Sequence, residues 1–181
     1  TLDIKEPGLN ALPPGVERYT VEGGGLTGIQ ILPDDEIEII NNEGGQICEI
    51  SVFNKDGKSE LAILSLKEIK DSSEIKKILF KKDETSLQAL LQLKKRNLNI
   101  EKSKSSLIFD KETKAGESIT LKSKDKCYCI IAAPGKEMMV HEQNPSTEIT
   151  VMIKRSIVKK DKEFSIIPDP VYDPSNEINI E

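Results

Sequence analysis

Tryptophan is absent from this sequence, and aromatic residues of all kinds make up 4% of its 181 residues. A folded core must therefore be built mainly from Ile, Leu and Val within the 36% of residues that are hydrophobic. The three cysteines, Cys48, Cys127 and Cys129, are an odd number, which favours reduced thiols over a disulfide framework. No apolar run approaches the roughly 18 residues needed to cross a bilayer, and no basic stretch followed by an apolar one opens the sequence. We therefore expect a soluble, cytoplasmic protein without a membrane partner.

The net charge of −5 conceals an uneven distribution of charged residues. Residues 1–50 carry ten acidic side chains against two basic ones, whereas residues 54–126 carry eighteen basic side chains against twelve acidic ones. The lysines of this basic middle are interspersed with Asp and Glu and have almost no aromatic neighbours, so we expect a solvated surface and no nucleic-acid partner. A homo-oligomer, in which the basic middle meets the acidic first fifty residues of a second copy, is an alternative use of this asymmetry.

The length suits one domain with extensions at both ends. Residues 1–15 contain three prolines and two glycines, which exclude a regular helix and predict an extended arm. Residues 16–155 are interpreted as a single β-rich domain. Residues 156–181 are interpreted as a C-terminal strand and a proline-rich tail or linker.

Most of the predicted domain has the pattern of short β-strands separated by turn residues. Ile37 and Ile39 alternate with polar neighbours, as in half-buried strands. The predicted strands are Arg18–Glu22, Leu26–Leu32, Glu36–Asn41, Gln46–Asn54, Glu117–Ser123, Lys126–Ala133 and Thr147–Arg155. We expect the first four to form an antiparallel meander.

Residues from about 60 to 97 change period and predict a helical insertion. Thr85-Ser-Leu-Gln88 has the form of a capping box, and leucines follow it at helical spacing until Asn97. Leu61–Ile69 and Ser73–Phe80 fit neither the helical nor the strand period, and we interpret both as helical. The fold class that follows is mainly β, an antiparallel sandwich or barrel with a helical insertion in the middle.

One glycine-rich segment matches the consensus sequence of a nucleotide-binding motif. Gly23-Gly-Gly-Leu-Thr-Gly28 satisfies Gly-x-Gly-x-x-Gly, which holds pyrophosphate where a strand ends and a helix begins. The residues from Leu26 onward have strand character, so we predict a glycine-rich turn or bulge. The acidic run from Asp34 to Glu38 lacks the glycine-spaced loop of a calcium site and is predicted to be a solvated turn.

The cysteines and the single histidine are weak candidates for a metal site. Cys127 and Cys129, two apart in a strand, point to the same face, and with His141 they would supply the thiolates and imidazole that zinc prefers. The spacing is Cys-x-Cys, however, and a buried thiol is often simply a small hydrophobe. His141 beside Glu142 has the setting of a general base, but no nucleophile-elbow sequence accompanies it. We predict no metal and assign no catalytic residue.

Two polar turns are predicted to meet at one end of the sandwich and to form a small-ligand site. One turn contains Gly44 and Gly45, and the other follows the Pro134-Gly135 break. The candidate ligand-binding residues are Gln46, His141, Glu142 and Gln143.

Two blocks of the sequence resemble the urea carboxylase-associated protein family. The first runs from Pro13-Pro-Gly-Val-Glu-Arg-Tyr-Thr-Val-Glu-Gly-Gly-Gly25 through Ile37–Asn54, with a Glu-Gly-Gly-Gln turn and a strand ending in Phe-Asn. The second consists of Ala133-Pro-Gly-Lys-Glu-Met138 and Asn144-Pro-Ser-Thr-Glu-Ile-Thr-Val-Met-Ile-Lys-Arg155. The form is similar to a branch in which this domain precedes a folate-dependent aminomethyltransferase of the glycine-cleavage T-protein type.

The resemblance implies an accessory or small-ligand-binding β domain whose chemistry lies on another domain. The implied partner is a downstream aminomethyltransferase domain, and tetrahydrofolate would be a cofactor of the parent protein and not of this chain. Stand-alone members of the family place Cys and His in the middle region, whereas here that region has neither and Ala133-Pro134 occupies the place of one such cysteine. The alternative is a small metal-dependent enzyme that uses His141, Cys127 and Cys129 at a barrel mouth.

Overall fold

The structure, a computed structural model, describes residues 13–69, 74–135 and 145–156. Within these ranges the strands are β1 (Val16–Val21), β2 (Leu26–Ile31), β3 (Glu36–Asn41), β4 (Cys48–Asn54), β5 (Ser105–Phe109), β6 (Ser118–Lys122), β7 (Cys127–Ala132) and β8 (Ile149–Lys154). A 3₁₀ helix (Leu61–Leu64) and the helices α1 (Glu74–Leu79) and α2 (Glu84–Lys95) lie between β4 and β5. The predicted arm at 1–15 and tail at 156–181 lie almost wholly outside the described residues, so those boundaries stay predictions.

The eight described strands form two four-stranded antiparallel sheets. Sheet A has the order β1-β8-β3-β6, and sheet B has the order β2-β7-β4-β5. Within the described strands, β4 and β5 are the one consecutive pair in the same sheet, because every other connection crosses between sheets. This is the order of an eight-stranded jelly roll. The predicted meander is therefore wrong, because alternation of apolar and polar residues identifies the buried face of a strand and not its neighbour.

The core lies between the two sheets. Ile39 of β3 and Val151 of β8 face Ile50 and Val52 of β4, and all four side chains are fully buried. The predicted fold class, mainly β with a helical insertion, is confirmed, and the architecture is a sandwich. None of the helices in the described ranges is long and apolar enough to cross a bilayer.

The helical insertion covers the outer face of sheet B. Phe53 of β4 and Ile130 of β7 point out of the sandwich and are buried against Ile75, Leu79 and Leu93 of the two α-helices. Sheet B is therefore buried on both faces, which explains why β7 is almost continuously apolar and why even Glu49 and Ser51 of β4 are buried.

The helix boundaries correct two sequence predictions. The N-cap of α2 is Asp83, whose carboxylate accepts a hydrogen bond from the Ser86 backbone N–H at 2.7 Å, so Thr85 lies inside the first turn and forms no capping box. Asn97 ends the segment in the left-handed conformation, with φ of 58°. Of the residues 61–69 interpreted as helical, only the first four form a helix, and it is a 3₁₀ helix.

Strand β5 was not predicted. Its sequence, Ser-Ser-Leu-Ile-Phe, follows a lysine-rich segment without a turn signal and has no clean alternation. It pairs with β4 at the edge of sheet B, where Ser106 lies opposite Ile50. The predicted strands at 18–22, 26–32, 36–41, 46–54, 117–123, 126–133 and 147–155 each coincide with an observed strand to within about two residues.

Candidate functional site

A polar cavity of about 390 Å³ lies at one end of the sandwich. We call this the open end, where β2 begins and β7 finishes, and we call the opposite end, where β1 begins and β8 finishes, the closed end. Three connections meet at the cavity: the β3–β4 loop, the β5–β6 loop and the residues before β8. It is lined by residues 43–46, Lys111 and residues 145–147.

Gln46 connects these loops through its side-chain amide. Nε2 donates hydrogen bonds of 2.9 Å to the carbonyl oxygens of Ile47 and Pro134, and Oε1 accepts one of 2.8 Å from the backbone N–H of Thr147. The side chain is buried. Gln46 therefore joins the β3–β4 loop to the end of β7 and the start of β8, with its amide fully engaged by backbone groups.

The shape of the β3–β4 loop is fixed by two of its residues, Asn41 and Gly44. Buried Asn41 accepts a hydrogen bond from Gly44 N at 3.0 Å and donates one to the Gln46 carbonyl at 2.9 Å. Gly44 has φ of 79°, and a Cβ atom added there would lie 2.6 Å from the backbone nitrogen of Ala115. Glycine is required by both the dihedral angle and the close approach of the β5–β6 loop.

The cavity wall presents groups that carry charge or lack a partner. Glu43 and Lys111 are exposed, and neither forms an ion pair with another side chain in the described ranges. The hydroxyl oxygen of Thr147 is buried and has no hydrogen-bond partner there. Thr147 lines the cavity, but its hydroxyl oxygen lies beneath the accessible surface, where an unsatisfied hydroxyl is unfavourable. The exposed part of the wall offers one cation, Lys111, and one anion, Glu43, to a small polar molecule.

The glycine-rich segment forms a turn beside this cavity, as predicted. A Cβ atom on Gly23 would lie 2.5 Å from the carbonyl oxygen of Ser146, and Gly24 N donates a 2.6 Å hydrogen bond to the Ala133 carbonyl. Strand β2 follows directly at Leu26, so there is no helix N-terminus to hold a phosphate. The glycines allow the β1–β2 turn to pack against the two segments on either side of residues 136–144.

The closed end contains a buried cluster of charged residues. Arg155 donates to Glu17 Oε2 at 2.6 Å and Oε1 at 2.9 Å, to Asp35 Oδ2 at 2.8 Å and to the Gln30 carbonyl at 2.8 Å. Tyr19 donates its hydroxyl hydrogen to Glu17. All three charged side chains are at least nine-tenths buried. Arg155 thus connects strands of both sheets.

The pKa shifts at the closed end follow from this geometry. Burial on its own lowers the pKa of Arg155, but hydrogen bonds and charge interactions with Glu17 and Asp35 more than offset it and raise the pKa above its ordinary value. Burial, followed by the hydrogen bond to Glu17, raises the pKa of Tyr19. With both pKa values raised, the guanidinium of Arg155 stays charged and the phenol of Tyr19 stays neutral at physiological pH.

The weak metal candidates lie inside the core. Cys127 and Cys129 are fully buried between the sheets, with 3.8 Å between their sulfur atoms. The hydrogen bond with Cys127 and burial together raise the pKa of Cys129, and burial raises that of Cys48. No three His, Cys, Asp or Glu side chains in the described ranges converge as metal ligands would.

The remaining predicted site residues, His141, Glu142 and Gln143, lie outside the described residues, and their role stays a prediction. Gln46 contacts Pro134 and Thr147, which stand on either side of that segment. The closed-end cluster was missed in the sequence. Asp35 was interpreted as part of a solvated turn, yet it is buried against Arg155 and also accepts a hydrogen bond from the backbone of Ser156.

The chain is similar to part of one curated enzyme. No protein-family model matches the chain. The chain is 33% identical over 178 residues to trimethylamine-oxide aldolase from Ruegeria pomeroyi. The alignment covers 98% of this chain and 22% of the aldolase, so the chain spans about a fifth of the length of this curated relative.

Proposed function

We propose that this chain is a non-catalytic, small-ligand-binding β domain of a larger protein similar to trimethylamine-oxide aldolase. The observation that carries the proposal is the alignment, which takes in nearly all of this chain and about a fifth of the aldolase. In this proposal the domain belongs to the urea carboxylase-associated branch that precedes a folate-dependent aminomethyltransferase. Tetrahydrofolate and the reacting groups would then lie in a downstream transferase domain, outside these 181 residues.

The disposition of the reactive side chains supports a binding role. The three thiols are buried, and the Arg155 guanidinium is held by two carboxylates. In the described ranges, the cavity at the open end combines unpaired charges with a buried, unsatisfied hydroxyl. A small dipolar molecule fits this set, because Lys111 and Glu43 would each meet one end of the dipole.

A chimera tests the accessory role. Replacing the aligned 178 residues of the Ruegeria pomeroyi aldolase with the matching part of this chain should leave consumption of trimethylamine N-oxide largely intact, as followed by the methyl proton signal in NMR. The isolated 181-residue chain should consume none, with or without tetrahydrofolate. Consumption by the isolated chain, or a folded chimera without activity, would contradict the proposal.

Ligand binding at the open end needs a method that reads individual residues. Trimethylamine N-oxide stabilises proteins in general because it is excluded from their surfaces, so a rise in melting temperature would carry no information. We expect saturable shifts of the Gly44, Gly45 and Thr147 amide signals when the ¹⁵N-labelled chain is titrated with this compound. Lys111→Met should weaken the saturation, whereas Lys114→Met, in the same loop but outside the cavity lining, should not. Shifts that rise linearly without saturation in all variants would exclude trimethylamine N-oxide as a ligand of the cavity.

Metal analysis decides the alternative of a small metal-dependent enzyme. That alternative needs Cys127 and Cys129 to act with His141 at a mouth of the β structure, yet both thiols lie in the core. Stoichiometric zinc, iron or manganese that is lost together in Cys127→Ser and His141→Ala variants would favour the enzyme.

A further inference from the structure

Strand β1 lies at an edge of sheet A, and one side of it carries unused backbone hydrogen-bonding groups. The Arg155 N–H donates to the Gly15 carbonyl at 2.7 Å, so the backbone groups of Gly15 and of every second residue after it face β8. The N–H and C=O groups of Arg18 and Thr20 therefore point the other way, beyond the sheet. No backbone group elsewhere in the described ranges bonds to them on that side. An edge strand in this state can pair with one more strand.

Two opposite charges flank Thr20 along this edge. Arg18 and Glu22 stand two residues before and two residues after it, so by strand alternation their side chains lie on the same face as that of Thr20. Both are exposed, and neither has an ion-pair partner in the part of the chain that the structure describes. Four residues along a strand span about 13 Å, which keeps the guanidinium and the carboxylate of one chain apart.

A second copy of the strand brings these charges together. When two β1 strands run antiparallel about a two-fold axis at Thr20, each Arg18 lies directly opposite Glu22 of the other copy. Opposite charges at directly facing positions are favourable, and the symmetry makes the pair twice. An axis shifted to Arg18 would instead place the two guanidinium groups opposite each other. The charges therefore select the register about Thr20.

The other sheet edges in the described ranges do not offer this combination. At β5 the Ile69 N–H already donates to the Ser105 carbonyl at 2.8 Å, so another segment lies along that edge. All six residues of β2 are buried. At β6 a two-fold axis through Thr120 would place Lys122 opposite Ser118, without a carboxylate. Strand β1 is thus the edge that is both open and self-complementary.

We propose that two copies of this chain associate through β1, antiparallel and in register about Thr20, so that their two A sheets become one continuous sheet. The two Thr20 residues would exchange two main-chain hydrogen bonds, and each Arg18–Glu22 pair would exchange two more. Exposed ion pairs contribute little free energy, so the main chain provides most of the attraction and the charges fix the register. The proposal concerns assembly and does not rest on ligand binding at the open end.

Charge reversal tests the register, with the dissociation constant of the 181-residue chain measured by analytical ultracentrifugation. Arg18→Glu and Glu22→Arg each place like charges opposite one another at both pairs, and each should raise the dissociation constant about tenfold. The double variant restores both pairs and should return to the wild-type value. Mixing the two single variants should give a heterodimer, because every facing pair is then Glu with Arg. Lys122→Glu, at the opposite edge of sheet A, controls for net charge and should change nothing.

Proline tests the main-chain pairing. Thr20→Pro removes an N–H that faces away from β8, so β1 keeps its hydrogen bonds to β8 while the central pair of the dimer is lost. Thr120→Pro is the matched control, because by the same alternation its N–H faces away from β3 at the other edge of sheet A. The first variant should be monomeric, and the second should dimerise like wild type. Amide hydrogen exchange at Arg18 and Thr20 should slow as the wild-type concentration rises.

Three outcomes would overturn the proposal. A monomer at all concentrations, with concentration-independent protection of the Arg18 and Thr20 amides, would assign the edge to another segment of the same chain. A monomer without such protection would leave the edge unpaired. A dimer that dissociates in salt but ignores every β1 variant would assign association to the basic middle and the acidic first fifty residues. Failure of the mixed single variants to associate would exclude the register about Thr20.

Discussion

The two ends of the sandwich compensate their buried polar groups in different ways. At the closed end, one guanidinium satisfies two carboxylates and a backbone carbonyl, and its ligands come from both sheets. At the open end, the neutral amide of Gln46 links three backbone segments, and the carboxylate of Glu49 is satisfied by N–H and hydroxyl donors. Ion pairs stabilise the closed end, whereas hydrogen bonds from neutral groups and close glycine contacts stabilise the open end.

This difference separates stability from binding. At the closed end Arg155, Glu17 and Asp35 are paired with one another and buried, where removing one partner is costly. The open end has a cavity, two unpaired surface charges and an unsatisfied hydroxyl in the described ranges. The paired charges of the closed end hold both sheets, and the groups exposed at the cavity are left to meet a ligand.

The largest effect is expected from Arg155→Leu. The change leaves Glu17 and Asp35 buried without their cation, and loss of one partner from such a pair costs about 3–5 kcal/mol. Urea denaturation at neutral pH measures the free energy of unfolding. The control is Lys154→Ala at the exposed neighbouring position, for which a change within about 0.5 kcal/mol is expected. Equal losses of unfolding free energy in both variants would show that the ion pairs of Arg155 do not stabilise the closed end.

A smaller loss is expected from Gly23→Ala at the open end. The added methyl group would lie 2.5 Å from the Ser146 carbonyl oxygen, so the β1–β2 turn or the start of β8 must move. Overpacking of this kind costs about 1–3 kcal/mol. Gly116→Ala separates crowding from backbone strain, because Gly116 has φ of 82° and nothing within 4 Å of its added Cβ. The amide NMR signals of Ser146 and Thr147 should move in the Gly23 variant and stay in place in the Gly116 variant.

Gln46→Ala should destabilise the protein by about 2 kcal/mol, because the Thr147 N–H and the Pro134 carbonyl lose their partner. Thermal unfolding of the variant gives the loss, and amide hydrogen exchange at Thr147 should become faster. Gln88→Ala, on the half-buried side of α2, is the matched control and should change neither quantity. An unaltered rate of hydrogen exchange at Thr147 in the Gln46 variant would show that the side-chain amide of Gln46 does not stabilise the cavity loops.

The sequence predicts the strands better than it predicts their neighbours. Alternation of apolar residues marked β3 and β4 because a half-buried strand requires it. Pairing partners such as Ile39 and Val151 are 112 residues apart, and no local signal specifies them. The missed strand β5 lies at an edge, where fewer side chains are constrained by burial. The jelly-roll strand order therefore could not be predicted from the sequence pattern and required the structure.

The candidate site was partly predictable for the same reason. The glycines around Gly44 marked a turn because positive φ angles favour glycine. Lys111 and Thr147 belong to other connections, and their approach to Gln46 depends on long-range packing. Helix α2 shows a further limit of sequence patterns. The spacing of Leu87 and Leu91 is helical, yet both side chains are exposed. Periodicity predicts a helix but does not specify which of its faces packs against the core.

The smallest effect, and the one that compares the two ends most directly, is a pH dependence at Glu49. Both oxygens of this carboxylate accept hydrogen bonds of 3.1 Å from Glu74 N at the start of α1. Burial raises the pKa of Glu49 despite these donors, and no cation within the described ranges forms an ion pair with it. The folded state then holds more protons than the unfolded state between the ordinary glutamate pKa, about 4.3, and the raised one. The contribution of Glu49 to stability must fall as pH rises through that window.

Urea unfolding of wild type and Glu49→Gln from about pH 2 to 7, a range that also covers the ordinary aspartate pKa of about 3.9, checks this sign. The free energy of unfolding of wild type minus that of the variant should decrease as pH rises above the ordinary glutamate pKa. Asp83 provides the opposite case, since it also binds the N-terminus of a helix but is exposed. Hydrogen bonds from Ser86 lower the pKa of Asp83, so the same difference for Asp83→Asn should be lost as pH falls below the ordinary aspartate value. Slopes of the same sign in the two pairs would show that burial does not control Glu49, and the contrast between the two ends would then rest on Arg155 alone.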